Sequence, residues 1–316
     1  MHPALSVIAF TVLSGAGYGL ALVLALGHGN PAHLPTKFAW VTALVLIAVG
    51  LMSSTLHLGN PQRAWRAFSQ WKTSWLSREG CMAVATFVPL TILAAMSILG
   101  DTFNLLLGYI GGIMCMITVY CTAMIYASLR TVPQWHTRWT PAVYLLFALT
   151  SGTMLYFAFF GREAGSDSNR IWVWLTLVFL VVTWAVKFMW LRHASAAGYG
   201  ASSMESATGL GNLGRVRLLE RPHAMENYLT REMAFRIARK HRERLSLIGA
   251  MLGAVLPFVL LVISLMVAPA LGGFLQVVAT ISLLAGLFVE RWLFFATAKH
   301  AVGLYYGGEE KLVPAE

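Results

Sequence analysis

The residues best suited to chemistry lie between Ser53 and Gly80. This stretch leaves one apolar run, passes through Trp, Arg and Lys, and enters a second apolar run at Glu79. His57 stands at the exit of the first run, where Gly59, Asn60 and Pro61 end the helix by ordinary breaker chemistry. Arg63 and Arg66 are three apart and share a face on a helical turn, while Trp65, Phe68, Trp71 and Trp75 supply apolar and interfacial surface. A histidine and a carboxylate at one membrane boundary, beside arginines, can hold a polar-headed, lipid-soluble molecule and exchange protons with it. Taken singly, the same residues have a plainer reading. His57 is then a helix C-terminal cation, and Glu79 an N-terminal anion with Ser77 as N-cap. Spacing alone does not separate the two.

Other motifs carry less. The nine histidines all fall in loops or at the ends of apolar runs, so no pair faces across the interior as haem ligation would need. Cys81, Cys115 and Cys121 lie inside apolar runs without a partner at ligand spacing, and read as small packing residues. The run from Gly209 to Gly214 fits a dinucleotide fingerprint, but no strand precedes it and no βαβ unit surrounds it. Lys187, close to the end of an apolar run, is explained by snorkelling. Glu290 and Arg291 sit about two turns inside the last run and want partners. They read as a structural ion pair that Lys187 can share, in preference to a proton path.

The elements that must position these residues are membrane helices. The chain is 58% hydrophobic and 11% charged, whereas soluble domains carry about 25% charged residues. Several runs reach the roughly 20 apolar residues that cross a bilayer. The fold class is all-α, a polytopic membrane protein with eight transmembrane helices in a single domain over residues 1–316. The spans run from about Leu5 to Leu26, Phe38 to Leu56, Cys81 to Leu99 and Phe103 to Leu129. The rest run from about Ala142 to Phe160, Ile171 to Trp190, Leu245 to Val267 and Gly273 to Ala298. Ser14, Gly15, Gly17 and Gly19, and again Gly108, Gly111 and Gly112, allow close helix approach. Pro133 and Pro141 fix turns in the segment after the fourth span, with Trp135 and Trp139 at interfacial depth. The first run is too long for a signal peptide's apolar region and has no basic stretch before it, so it is expected to be retained.

The net charge of +10 is confined to a few loops, which points to membrane topology rather than nucleic-acid binding. Basic residues crowd the face that carries both ends of the chain, and only Lys37, Arg162 and Arg170 fall opposite. This bias puts both termini and the His57 loop in the cytoplasm. The long loop, residues 193–244, has two parts. Ala194 to Gly214 is rich in Gly, Ser and Ala and reads as a flexible strap. From Glu226 onward it is helix-prone and basic, suited to anionic lipid or to an acidic partner. A transporter would need a midplane site in broken helices; Pro89 and Pro257 interrupt apolar runs without bringing polar residues, and the polar groups cluster at one face instead.

The stretches STLHLGNPQRAWRA, LSREG and TVPQWHTRWTP, in this order, resemble the membrane anchor subunit of dimethyl sulfoxide reductase. The opening MHPALSVIAFTVLSGAGYGL and the loop GRVRLLERPHAMENYLTREMAFRIARKH look closer to one branch, the anchor of the cytoplasmic sulfite dehydrogenase (sulfite:quinone oxidoreductase). The resemblance implies an eight-helix bacterial inner-membrane subunit without haem. It implies partners too: a molybdopterin catalytic subunit, held through an iron–sulfur subunit, with ubiquinone or menaquinone bound near that interface. On this chain the implied quinone-binding residues are His57, Glu79, Tyr126, Arg130 and Trp135, and Arg63 is expected to join them by shaping the local potential. The implied chemistry is sulfite oxidation feeding electrons to quinone, with quinol oxidation by a dimethyl sulfoxide reductase as the alternative. The basic residues Arg66, Lys72, Arg78, Arg231, Arg236 and Arg239 are expected to dock the iron–sulfur partner.

Overall fold

A computed structural model describes residues 4–56, 60–160, 167–217, 219 and 241–306. Among them are eight helices long and apolar enough to cross a membrane. They are α1 (Leu5–Ala25), α2 (Leu34–Thr55), α3 (Trp75–Gly100), α4 (Leu105–Ala127), α5 (Trp139–Phe160), α6 (Asp167–Ala197), α7 (Arg242–Ser264) and α8 (Pro269–Ala296). The expected fold and number of spans hold. The helices overrun the apolar runs at several ends, because helix caps, not hydropathy, decide where a helix begins. Ser74 caps α3, accepting from the Ser77 amide at 3.4 Å, so the expected Ser77 cap is displaced by three residues. Pro141, expected in a turn, lies inside the first turn of α5, where its missing N–H has no intrahelical partner to lose.

Burial sorts the bundle. α1 and α5 are 72% buried over their most apolar windows, against 28% for α2 and 22% for α7, so α1 and α5 form the centre and α2 and α7 face lipid. α1 packs against α2, α4 and α5; α3 pairs with α4, α6 with α5, and α7 with α8. The tightest crossing is between α1 and α5. A Cβ on Gly19 would run into the Ala148 carbonyl, and one on Gly152 into the Gly19 backbone, so neither position has room for a side chain. Lys37 at the start of α2 pairs with Asp101 past the end of α3 (2.6 Å), on the face opposite the chain ends.

α7 contains a π-helical turn, Met251–Val255, separated from Pro257 by Leu256 alone. Proline has no N–H for the preceding turn. Neighbouring helices meet the exposed carbonyls: Ser282 Oγ donates to Leu252 O (2.7 Å) and Trp184 Nε1 to Gly253 O (2.7 Å). At the same level a Cβ on Gly286 would meet the Gly253 backbone, which brings α7 and α8 together there.

At the basic face, Pro61–Gln70 is a 3₁₀ helix, and Arg63 and Arg66, three apart, fall on one side of it. Ala194 to Gly214 is more structured than the expected strap. α6 continues to Ala197, and Ser203 opens a one-turn helix, Met204–Thr208, through a reciprocal capping box with Ser206. Gly209 and Gly211, of the fingerprint-like run, end that turn and begin the 3₁₀ turn Gly211–Leu213; no strand occurs among the described residues. The basic segment from Glu226 lies outside the described residues up to Lys240.

Candidate functional site

The site is built from the ends of α3 and α4, the connection between α4 and α5, and the last turns of α8. From hydropathy, Glu79 belongs at the edge of the third span. Because α3 begins at Trp75, it instead lies in the second helical turn and is 5% exposed. Thr122 of α4 donates its hydroxyl to Glu79 Oε1 at 2.7 Å, and the Thr118 carbonyl is 3.1 Å from the same hydroxyl. That geometry serves both forms of the carboxyl group. Thr122 can donate to the carboxylate, or accept from the acid while donating to Thr118. Sequence reasoning misses Thr122. Its signal is the polar stripe Thr118, Thr122, Tyr126, spaced by one helical turn on an otherwise apolar helix.

Tyr126 stands one turn past Thr122 and meets Trp135 at 5.5 Å, Tyr144 at 5.9 Å and Phe295 at 5.2 Å between ring centroids. Trp135, expected at interfacial depth, is buried. It stacks on Phe294 at 5.3 Å and donates its Nε1 to the Phe294 carbonyl (3.0 Å). The connection carrying it is tied down: His136 Nδ1 lies 2.7 Å from Ala127 O, Thr140 Oγ1 donates to Trp135 O (2.8 Å), and the Lys299 amide donates to Gln134 Oε1 (2.6 Å). Tyr126 and Trp135 therefore come together in an aromatic cluster beside the Glu79 helix pair. Arg130 and Arg63 are exposed on the basic face and do not join that cluster. His57 lies outside the described residues.

Of the expected docking residues, Arg66 and Lys72 are exposed and lie over Trp65 (5.6 Å) and Trp71 (5.9 Å). Arg78 is half-buried and folds back on its own loop. Its Nε donates to Trp71 O (3.0 Å), its guanidinium donates to Lys72 O (2.7 Å), and it covers the Trp75 ring at 4.2 Å. It fixes the turn before α3. Arg231, Arg236 and Arg239 lie outside the described residues.

A second polar centre corrects the snorkelling expectation for Lys187. Lys187 is 3% exposed, and its ammonium pairs with Glu290 across the bundle, with Trp190 beneath it at 3.7 Å. Arg291 Nε lies 3.3 Å from Glu290 Oε2, and its guanidinium covers Tyr144 at 3.8 Å. The ion pair expected between Glu290 and Arg291, shared with Lys187, is present. Cys115 and Cys121 are buried free thiols and Cys81 is half-buried. No group of three or more His, Cys, Asp or Glu fit to hold a metal occurs among the described residues.

Comparison with known proteins bears on this arrangement. A subunit of the sulfite dehydrogenase of Allochromatium vinosum is 33% identical over 97% of this chain and 99% of its own length. A polypeptide of the anaerobic dimethyl sulfoxide reductase of Escherichia coli K12 is 28% identical over 56% of this chain and 63% of its own. Residues 1–307 match the DMSO reductase anchor subunit family, so the chain, whose described residues include eight helices able to cross a membrane and a buried carboxylate beneath the basic face, belongs to that family.

Proposed function

We propose that this chain is the membrane anchor through which an iron–sulfur subunit and a molybdopterin catalytic subunit exchange electrons with quinone. The observation that carries the reading is Glu79, an ionisable group sunk in an apolar helix, bonded to Thr122 and flanked by the Tyr126–Trp135 cluster. Intramembrane carboxylates are costly and serve proton chemistry far more readily than packing. Quinone reduction takes up two electrons and two protons. The electrons come from the partner's nearest cluster, and this chain supplies the protons and the electrostatics. His57 hydrogen-bonds a quinone carbonyl and exchanges a proton with it; Glu79 relays protons; Arg63 and Arg130 shape the potential at the entrance.

Sulfite oxidation is the favoured chemistry. The relative named for sulfite dehydrogenase matches nearly end to end, whereas the one named for dimethyl sulfoxide reductase matches over 56% of this chain and 63% of its own. The basic bias of the face bearing both chain ends supports a bacterial inner-membrane protein whose partners dock from the cytoplasm. The test is sulfite-dependent quinone reduction by inside-out membrane vesicles, with and without this subunit. Loss of that activity on deletion supports the proposal. Unchanged sulfite activity alongside lost dimethyl sulfoxide-dependent quinol oxidation refutes it in favour of the reductase.

A further inference from the structure

Lys187 on α6 and the Glu290–Arg291 pair on α8 form an ion triad, each member 3% exposed. Holding a bundle together does not call for it, because a buried ion pair often stabilises less than apolar side chains of the same size. Its surroundings point to a different role. On one side Arg291 and Thr122 line a common cavity with Ser14, Tyr144 and Ser151. Thr122 is the hydrogen-bond partner of Glu79. On the other side Lys187 and Glu290 line a second cavity with Arg242 and Ser246, where α7 begins at the basic face. Each cavity has space of ≈ 20 Å³, about what one water with several polar partners needs. Arg291 Nη1 is buried and has no hydrogen-bond partner among the described residues, although a buried guanidinium N–H requires one.

We propose that Glu290, gripped by Lys187 and Arg291, is the inner station of a proton path that runs from the basic face past Arg242 and Ser246, through the two cavities, to Thr122 and Glu79. This rests on the reading of Glu79 as the proton relay to quinone, and adds where its proton comes from. When Glu79 gives its proton to a reduced quinone oxygen, it becomes a carboxylate and accepts the Thr122 hydroxyl. A proton from water at the basic face protonates Glu290. It then crosses the inner cavity to Glu79, and Glu290 returns to its ion pairs. Only O–H bonds form and break, and no electron moves along this route. The path enters through the side of the bundle formed by α6, α7 and α8, apart from the His57 loop between α2 and α3.

The test uses the complete complex in membranes with sulfite as donor. A short-tail ubiquinone analogue reports the anchor, and ferricyanide reports electron output that bypasses it. The double variant Lys187→Met/Glu290→Gln turns two cations and one anion into one cation, so the net charge of the triad is unchanged. Quinone turnover per assembled complex is expected to fall at least about tenfold. KM for the quinone and the ferricyanide rate stay as in the parent, and the solvent deuterium isotope effect rises. Ser246→Leu, which fills the outer cavity but leaves all three charges of the triad in place, is expected to move turnover and isotope effect the same way. A normal turnover and isotope effect in the assembled double variant overturns the path. So does a double variant that fails to assemble while Ser246→Leu behaves as the parent, since the triad is then structural. Glu79→Gln separates the two ideas. If it turns over quinone normally, the site reading itself fails; if it is inactive while the double variant is normal, only the path fails.

Discussion

Thr122 allows a carboxyl group to sit inside an apolar helix in either protonation state. Its hydroxyl reaches Glu79 Oε1 at 2.7 Å and Thr118 O at 3.1 Å, and rotating one hydrogen switches between donating and accepting. A charge or polar group buried without that partner would cost several kcal/mol, and such residues are kept in membrane helices where they act. Glu79→Gln keeps the shape and the hydrogen bond but cannot carry a proton. Assembly should be normal and quinone-linked turnover should drop by about two to three orders of magnitude, the range of general acid–base contributions. Thr122→Val should cost less, about tenfold, because the carboxyl remains but its proton loses a fixed partner. Normal quinone turnover in Glu79→Gln, with the complex present in parental amounts, would remove Glu79 from the mechanism. His57→Ala is expected to leave assembly intact and abolish electron transfer between quinone and the iron–sulfur chain, read as sulfite-dependent quinone reduction against an unchanged ferricyanide rate. His57 and Glu79 stand out in the sequence by residue type alone. Thr122 does not, since serines and threonines on membrane helices commonly bond their own backbone, as Thr118 does to Met114 O at 2.8 Å.

Helix against helix, the bundle is positioned by absences of side chain. Gly19 and Gly152 bring the α1 and α5 backbones together at the centre, and the Thr122 cavity lies between these two helices, α4 and α8. Gly152→Ala should therefore destabilise by about 1–3 kcal/mol, the usual cost of overpacking, and lower both accumulation in the membrane and Tm in detergent. Gly15→Ala is the matched control, because a Cβ there meets nothing within 4 Å. Equal effects of the two substitutions would contradict the close approach. The π turn of α7 offers a second check. Trp184→Phe leaves the Gly253 carbonyl without its indole donor, at a cost of about 1–2 kcal/mol. In a Pro257→Ala background a backbone N–H returns to that turn, so the same change should cost measurably less. Additive effects on Tm in the double-mutant cycle would show that the indole does not substitute for the missing amide. The small-residue stripe of α1 is visible in the sequence. Which glycine meets which partner is not, because that depends on how two helices are rotated and offset.

Taken whole, the molecule is polarised: buried ionisable residues and exposed basic ones share the end of the bundle that holds both chain ends, while Lys37 and Asp101 pair at the other. Topology reporters inserted after Gly29 and after Gly198 should lie on opposite sides of the membrane, with the second in the cytoplasm. A periplasmic signal after Gly198 would invert the orientation and move the partners to the outer face. Hydropathy by itself picks out eight stretches, all helices among the described residues, long and apolar enough to cross the membrane, because the length and polarity of a span are local properties set by the thickness of the bilayer. Residue type alone likewise picks out His57 and Glu79 as candidates for chemistry and Glu290–Arg291 as an ion pair inside the last span. Only the tertiary structure decides that Lys187 leaves the interface to join Glu290, that Trp135 is buried on Phe294, that Arg78 turns back on its own loop, and that Thr122 and Arg291 look into one cavity. The physical reason lies in the helices themselves. A helix apolar on every side satisfies the bilayer at any rotation about its axis, so the pairing of its few polar residues is set by interhelical packing and not by its own sequence.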